Sequence, residues 1–341
     1  MSLSLLVLTG LSLADAPPPP PIVGGTETYA YEAVGALVAL DALDHIVGSF
    51  CSGTLVGPRQ VLTAAHCVDG MYDLQDMGYS GFEFVIGTNV ALSSGTWERT
   101  AITAAHRHPF WGGSGMVGDL AVLELGRDVE TTLPMLLNQD SPTNAWAGEL
   151  ITYVGWGKTD DSDADTAGTK RTVDVPFHSL YEDTMLSYDP DGGNVCYGDS
   201  GGAALVETED EGYRLAGVNS FIFNIEGGEP SCAQDGAAAG SARVDLYRDW
   251  IETLVDLAAV EASVDAPTEP DPETEDEESP ETDSEAPASA ETEEDVEPVE
   301  PEFTSASGGA QETAGGCSVT GSTGSLGLAL LGLLGVVRRR R

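Results

Sequence analysis

The distribution of hydrophobic residues along the chain predicts many short β-strands and one helix near residue 250. Apolar stretches rich in β-branched residues alternate with Gly and Pro, which is the pattern of strands separated by turns. The predicted strands lie in Val34–Leu40, Gly53–Thr63, Phe82–Ile86, Leu120–Leu125, Ile151–Val154, Thr172–Val175 and Leu215–Asn219. Helical spacing of apolar residues is clear in Val244–Val260, through Leu246, Trp250, Leu254 and Val255. The pattern favours an all-β fold that ends in a helix.

The charge of the chain is strongly negative and unevenly distributed. Its 341 residues include 14 Lys and Arg against 57 Asp and Glu, a formal net charge of −43. This balance argues against nucleic-acid binding, which requires a positive surface. The segment Glu261–Phe303 contains nineteen acidic residues and no basic one. Because it cannot bury an apolar core and its charges repel, we expect a disordered spacer over residues 261–314. Binding of calcium or of a cationic partner is the alternative.

Both ends of the chain have the composition of targeting segments. Met1–Ala16 is apolar and ends in a small-x-small motif, which predicts a signal peptide, and the proline-rich pro-segment 17–21 predicts polyproline II. Val319–Val337 would be about 28 Å long as a helix, close to the thickness of the hydrocarbon core of a bilayer. The arginines at 338–341 then predict a transmembrane helix with a cytoplasmic C-terminus.

Residues 315–341 also resemble bacterial C-terminal sorting tails of the myxosortase and rhombosortase kind. The resemblance rests on Gly315-Gly316-Cys317, the apolar segment and the arginine cluster in that order. It implies that a membrane-bound sorting protease cuts near the small-residue motif, and that the protein is then passed to the cell surface. A plain membrane anchor is the alternative, and in either case the acidic spacer would hold the preceding domain off the membrane.

The most specific chemistry lies in Cys196-Tyr197-Gly198-Asp199-Ser200-Gly201-Gly202. Its glycines allow a sharp turn and a close approach to a substrate, although a plain surface turn has the same composition. Two motifs upstream add a histidine and an aspartate: Thr63-Ala64-Ala65-His66-Cys67, and Gly118-Asp119 followed by an apolar stretch. A serine hydroxyl needs a base to attack at neutral pH, and an imidazole can serve as one.

These motifs resemble those of the trypsin/chymotrypsin-like serine proteases. The Ile22-Val23-Gly24-Gly25 and Gly155-Trp156-Gly157 motifs complete the family's order, which extends over roughly Ile22–Val260. The resemblance implies two six-stranded antiparallel β-barrels with a C-terminal helix. It also implies a serine endopeptidase that cleaves protein or peptide substrates through an acyl-enzyme, with no cofactor and no metal.

The resemblance further implies a role for each residue of the site. Ser200 would be the nucleophile, His66 the general base, and Asp119 the carboxylate that orients His66. The N–H groups of Gly198 and Ser200 would form the oxyanion hole. In this family the freed amino group of the mature N-terminus pairs with the aspartate before the serine, which implies an activation pair of Ile22 and Asp199. Because Pro21 precedes Ile22, the activating protease is unknown and is not basic-specific.

Four of the five cysteines flank the His66 and Ser200 motifs, and spacing alone leaves three connectivities open. The resemblance implies the disulfides Cys51–Cys67 and Cys196–Cys232, which require an oxidising compartment. Metal binding by these cysteines is the competing interpretation, but the chain has no CxxC motif. Cys317 is left over.

By family alignment, Asn194 lies at the base of the primary specificity pocket, where trypsin-like enzymes have an aspartate. An uncharged amide makes a strong preference for Arg or Lys doubtful. Ser220 and Ile222 would lie along the pocket, with Ile222 narrowing it, and Ala239 would form the opposite wall. We therefore expect a modest, uncharged substrate side chain.

The sequence thus predicts five regions: a signal peptide (1–16), a pro-segment (17–21), a protease domain (22–260), a spacer (261–314) and a tail (315–341). The expected protein is a secreted, monomeric serine endopeptidase, tethered at the cell surface or outer membrane. Two alternatives are a catalytically silent protease-like binding module and an adhesion protein whose tail is the functional part.

Overall fold

The computed structural model describes residues 22–91, 98–113, 115–161, 166–209 and 212–264. All of them belong to the first of two compact units, Met1–Asp271, whereas the second unit is Pro272–Arg341. The predicted signal peptide, pro-segment, acidic spacer and tail helix lie outside the described residues, apart from the first residues of the spacer. Within the described part, no helix has the length and apolar character needed to cross a bilayer.

The first barrel follows a two-residue strand, β1 (Thr26–Glu27). Its six antiparallel strands close in the order β2-β3-β4-β7-β6-β5. They are β2 (Val34–Leu40), β3 (Ile46–Leu55), β4 (Gln60–Thr63), β5 (Gly81–Ile86), β6 (Glu98–Arg107) and β7 (Ala121–Leu125). Every residue of β2 is buried, which explains why this strand is a continuous apolar run.

The second barrel is also six-stranded, which confirms the predicted pair of barrels. Its strands run in the order β9-β10-β13-β12-β11-β8, a pairing of β8 with β9 closes the sheet, and β1 adds to β9. They are β8 (Leu150–Gly155), β9 (Arg171–Tyr181), β10 (Thr184–Tyr188), β11 (Ala203–Thr208), β12 (Gly212–Asn224) and β13 (Ala237–Arg243).

The helices differ from the sequence prediction in two places. A helix that the apolar pattern did not predict, α1 (Ala65–Asp76), follows β4 and contains His66. The predicted C-terminal helix is present but divided into a 3-10 turn, α2 (Arg248–Glu252) and α3 (Leu257–Val264). The break has a local cause, because the Asp256 carboxylate accepts a hydrogen bond from the Ala259 N–H (3.1 Å) and so begins a new helix.

Two apolar clusters of buried side chains form the core, which joins the two barrels and anchors Ile22. One apolar cluster contains residues of both barrels together with Ile251 and Val255 of the C-terminal region, which pack against it. A second cluster fills the second barrel and includes the fully buried side chain of Ile22, beside Ile151 and Tyr153 of β8. The Ile22 motif is therefore anchored next to the strand that leads to Gly155-Trp156-Gly157.

Lys170 is an unusual residue of this core because only 2% of it is exposed. Its Nζ donates one long hydrogen bond, to the Tyr31 carbonyl oxygen at 3.5 Å. Burial lowers the pKa of Lys170 to about 8, and the nearby carboxylate of Glu32 only partly offsets this. The lower pKa in the folded state means that the unfolded chain binds the lysine proton more tightly. At every pH at which the unfolded lysine is protonated, this reduces the free energy of unfolding.

We therefore expect Lys170→Met to raise the free energy of unfolding at pH 7 by up to about 3 kcal/mol. The advantage should shrink as the pH rises from 8 to 10.5, because the wild-type chain gains stability in that window. Denaturant unfolding at pH 7 and pH 10, in a Ser200→Ala background to prevent self-digestion, measures the difference. Lys158→Met, at the chain's only other lysine, is the control. An advantage that is the same at both pH values would contradict the prediction.

Candidate active site

His66 and Asp119 are brought together by the pairing of two strands of the first barrel. β4 ends directly before the loop to His66, Asp119 lies just before β7, and Thr63 of β4 pairs with Ala121 of β7. The His66 Nδ1 lies 2.8 Å from the Asp119 Oδ2, and the His66 backbone N–H donates to the Asp119 Oδ1 at 2.9 Å. Asp119 is 2% exposed, whereas the His66 ring reaches the surface. One carboxylate thus fixes both the ring and the backbone of the histidine.

Two further groups hold Asp119 in place. The Ser220 hydroxyl donates to the Asp119 Oδ2 at 2.5 Å, although the sequence assigned Ser220 to the specificity pocket. On the other side, the preceding Gly118 N–H donates to the Asp183 carboxylate at 2.9 Å, and the Tyr247 hydroxyl binds the same carboxylate. Both Asp183 and Tyr247 are buried. The turn between β9 and β10 and the 3-10 turn before α2, both distant in sequence, thus support the turn that carries Asp119.

The turn around Ser200 lies against the first barrel at the same place. The Ser200 carbonyl oxygen accepts a hydrogen bond from the Ser52 N–H of β3 at 2.8 Å, and it lies 3.6 Å from the Cys67 Sγ. Cys67 is the neighbour of His66, and its Sγ lies 3.8 Å from the His66 Nε2. The structure therefore gathers the three predicted residues, His66, Asp119 and Ser200, at the junction of the two barrels.

Gly198 lies in this turn, in close contact with the loop that follows β8. Its φ of +97° is in the region that favours glycine, and a Cβ there would lie 2.9 Å from the Gly157 Cα. The Tyr197 carbonyl oxygen accepts from the Lys158 N–H at 2.8 Å, so the loop after β8 holds the turn from outside. A side chain at position 198 would push these two loops apart.

Asp199 points inward from the turn and is completely buried. Its carboxylate accepts hydrogen bonds from the Gly157 N–H and the Cys196 N–H, both at 2.7 Å. A Cβ at Gly155 would lie only 2.3 Å from the Asp199 Oδ1, so the Gly155-Trp156-Gly157 motif leaves room for this carboxylate. Burial raises the pKa of Asp199 to about 7, while the two N–H donors and the charge of Arg171 act in the opposite direction.

No ion pair within 4 Å involves Asp199 among the described residues, so the predicted pair with Ile22 remains a prediction. In the full chain the Ile22 nitrogen belongs to the peptide bond with Pro21 and carries no charge. The Ile22 side chain is nevertheless buried, and the neighbouring Val23 carbonyl oxygen accepts from the Asn194 N–H at 2.8 Å.

Two disulfides frame the site, as expected. Cys51–Cys67 links β3 to α1, and Cys196–Cys232 links the Ser200 turn to the segment before β13. Two clusters of metal-ligating residue types, Cys51 with His66 and Cys67, and Asp161 with Cys196 and Cys232, include these same sulfurs. Because disulfide sulfur is not a thiolate, neither cluster suits a metal ion.

Of the residues predicted for the specificity pocket, the structure pairs Ile222 with Ala239, whereas Ser220 contacts Asp119. Asn194 is fully buried, and neither its amide oxygen nor its amide nitrogen has a hydrogen-bond partner among the described residues. Ile222 of β12 pairs with Ala239 of β13, and both belong to or pack against the core of the second barrel. The ring of Phe221 lies over Gly240, where a Cβ would come within 2.2 Å of it.

Comparison with known proteins identifies the class of this site. The profile of the family described as Trypsin matches residues 22–251, more than half of the chain. The chain belongs to the trypsin family. It is a trypsin/chymotrypsin-like serine endopeptidase, a hydrolase. The solved structure of neuropsin, a serine protease expressed in the limbic system of mouse brain, has the same fold, with a TM-score of 0.52 and 19% identity. It covers 67% of this chain and 98% of its own.

Three curated relatives share 27–28% sequence identity with this trypsin-family chain. Melanization protease 1 of Drosophila melanogaster is 28% identical over 69% of this chain, and the chain spans 65% of its length. Brachyurin of Leptuca pugilator is 28% identical over 60% of this chain and 87% of its own length. Trypsin-1 of Salmo salar is 27% identical over 74% of this chain and 98% of its own length.

Three residues that support the site in this trypsin-family chain were not found from the sequence: Ser52, Asp183 and Tyr247. Ser52 directly follows Cys51. Its place beside the disulfide expected next to His66 could therefore have predicted that it lies at the site. Asp183 and Tyr247 offered no such signal, because they reach Gly118 only after the two barrels and the C-terminal helix have packed.

The raised pKa of Asp199 predicts a pH-dependent stability of the uncleaved chain. An aspartate that titrates near 7 when folded, but near 4 when unfolded, destabilises the fold progressively as the pH rises from about 4 to 7. We expect this loss, up to about 4 kcal/mol, to disappear in Asp199→Asn. Denaturant unfolding of the uncleaved protein at pH 4.5 and 7.5, in a Ser200→Ala background, tests it.

The quantity compared is the change in the free energy of unfolding between the two pH values. The absolute values differ for a second reason, because Asp199→Asn also loses one hydrogen-bond acceptor. Asp249→Asn, at an exposed position of α2, is the matched control and should keep the wild-type pH dependence. If Asp199→Asn also keeps it, the carboxylate is already ionised in the folded chain and the pKa argument is wrong.

Proposed function

We propose that this endopeptidase cleaves peptide bonds through His66, Asp119 and Ser200. The observation that carries the proposal is the 2.8 Å contact between the His66 Nδ1 and the Asp119 Oδ2, beside the turn that presents Ser200. The contact would fix the imidazole tautomer that leaves Nε2 free to accept a proton. The intact set of residues favours catalysis over a silent binding module.

In the proposed reaction the Ser200 Oγ attacks the substrate carbonyl carbon while the His66 Nε2 takes the hydroxyl proton. The imidazolium, stabilised by Asp119, then returns that proton to the leaving amine as the peptide C–N bond breaks. Water attacks the resulting acyl-enzyme by the same route and releases the acid product and the Ser200 hydroxyl. The N–H groups of Gly198 and Ser200 would bind the oxyanion, where one donor contributes about 3 kcal/mol.

Activation is proposed to occur by cleavage between Pro21 and Ile22. The new ammonium of Ile22 would provide the cation that the buried Asp199 lacks, since an unpaired buried carboxylate is costly. The buried side chain of Ile22, at the strand that leads to Gly155, supports this proposal. The Pro21–Ile22 bond requires an activating protease other than a basic-specific one.

The substrate side chain is proposed to be modest in size and uncharged. The buried side-chain amide of Asn194 has no hydrogen-bond partner among the described residues, so it can hydrogen-bond to a neutral polar group but cannot neutralise a cation. Ile222 and Ala239 are neighbours on the paired strands β12 and β13, and their side chains would narrow the pocket.

The protease domain is proposed to be a secreted monomer held at the cell surface or outer membrane, with residues 261–314 as spacer and 315–341 as tail. Its two disulfides and its family support secretion. The tail would either anchor the protein in the membrane or be recognised by a sorting protease of the kind its motif resembles. Deletion of residues 265–341, which leaves α3 intact, would separate surface attachment from catalysis.

The catalytic proposal predicts that a fluorophosphonate probe labels the cleaved protein at Ser200. The prolines at 17–21 can be replaced by the recognition sequence of an added processing protease, so that Ile22 becomes the mature N-terminus. Ser200→Ala should abolish labelling and lower kcat about 10⁶-fold, and Asp119→Asn should lower kcat by a smaller factor, about 10⁴-fold. Ser80→Ala, an exposed serine, is the control. Absence of labelling in the cleaved wild-type protein would instead support the silent binding module.

The specificity proposal predicts that Asn194→Asp shifts preference towards Arg and Lys. A carboxylate at this fully buried position would gain a charged partner from a basic side chain, so the kcat/KM ratio of basic to uncharged substrates should rise at least about tenfold. A peptide library that varies the residue before the cleaved bond measures this ratio. Asn144→Asp makes the same charge change at an exposed position and should leave the ratio unchanged. An unchanged ratio in Asn194→Asp would place Asn194 outside the pocket.

A further inference from the structure

Ser52 is a fully buried residue of β3 whose side chain reaches into the second barrel. Its hydroxyl donates to the Gly198 carbonyl oxygen at 2.9 Å and accepts from the Trp156 N–H at 3.0 Å. A single hydroxyl thus joins the turn that carries Ser200 to the loop that follows β8. Both contacts cross the junction between the barrels.

The backbone of Ser52 makes two more contacts at the same junction. Its N–H donates to the Ser200 carbonyl oxygen at 2.8 Å, and its carbonyl oxygen accepts from the Thr63 hydroxyl at 2.8 Å. Ser52 therefore binds the carbonyls of both residues whose N–H groups are the proposed oxyanion donors. Through Thr63 it also contacts the end of β4, three residues before His66.

We propose that Ser52 is a positioning residue of the oxyanion hole, and that its hydroxyl fixes the Gly198–Asp199 peptide, which lies between the two peptides that carry the donor N–H groups of Gly198 and Ser200. The inference rests on the proposed catalytic function. Glycine has no Cβ to restrict its backbone, so Gly198, at a φ of +97°, depends on external contacts for its orientation. The Ser52 hydroxyl provides one at the Gly198 carbonyl, while the Ser52 N–H holds Ser200.

A purely structural role for this hydroxyl makes a different prediction. If it only satisfies two buried backbone groups, its loss lowers stability and leaves the chemistry of the folded fraction unchanged. If it positions the donors, its loss weakens binding of the oxyanion and therefore lowers kcat, while ground-state binding of the substrate is unaffected.

The test compares Ser52→Ala with Ser49→Ala in the cleaved protein. Ser49 lies on the same strand, and its hydroxyl donates to the Trp156 carbonyl oxygen at 3.5 Å, a contact that does not involve residues 198–200. Two quantities are measured: kcat and KM on a peptide anilide, and the inhibition constant of a peptidyl trifluoromethyl ketone, whose adduct places an oxyanion in the hole. Active-site titration corrects for any unfolded fraction.

For Ser52→Ala we expect kcat to fall about 10- to 100-fold, less than for loss of an oxyanion donor itself, with KM within about twofold of wild type. The inhibitor should weaken by the same factor as kcat, and Ser49→Ala should change neither. Unchanged kcat and unchanged inhibitor affinity in Ser52→Ala would overturn the proposal.

If Ser52→Ala does not fold, Ser52→Gly removes the same hydroxyl and keeps the N–H that binds Ser200. Failure of both variants to fold would assign the hydroxyl a structural role and also overturn the proposal. Failure of the catalytic proposal is distinguishable, because wild type and Ser49→Ala would then also be inactive and unlabelled.

Discussion

The arrangement of the site depends on one buried carboxylate. Asp199 lies between two loops of the second barrel, with two backbone N–H donors and no cation within 4 Å among the described residues. Because removing a carboxylate from water costs several kcal/mol, this position is favourable only if the donors are well aligned and a positive charge is near. Its neighbours in the chain, Gly198 and Ser200, carry the proposed oxyanion donors. The geometry of the hole is therefore coupled to the charge state of Asp199.

The same turn is also held from the first barrel, which makes the site a property of the interface between barrels. Ser52 and Cys67 contact the Ser200 carbonyl from β3 and α1, while Asp183 and Tyr247 of the second half support the turn before Asp119. Each half thus supports the proposed catalytic residues of the other. A relative shift of the barrels would disturb all of these contacts together, which favours a cooperative site over one assembled residue by residue.

Local sequence information predicted the strands with β-branched apolar runs, such as β2 and β7, and it did not predict β6, β10, β11 and β13. β13 is a run of Ala, Gly and Ser with low strand propensity, and it is a strand because it is buried between β10 and β12. The motifs predicted that His66, Asp119 and Ser200 act together, and that stays a prediction, although the structure places the Ser200 turn near His66 and Asp119. They did not predict that the Ser220 hydroxyl binds Asp119, because side-chain direction depends on tertiary packing.

Charge adds a separate influence on substrate choice. Of the 14 basic residues, four are the arginines at 338–341, which leaves ten in the protease domain. Four of these ten are buried: Lys170, Arg171, Arg214 and Arg243. Four acidic residues, Glu98, Asp119, Asp183 and Asp199, are buried among the described residues as well, so burial does not change the net charge of the surface. The negative charge of the domain would attract basic peptides over about one Debye length, roughly 8–10 Å at moderate salt. In the proposed pocket, the amide of Asn194 would not neutralise a basic side chain. Long-range attraction and local selection would then favour different features of one substrate: basic flanking residues and an uncharged residue at the cleaved bond. Because salt screens only the first, raising the ionic strength should weaken capture without changing which bond is cut.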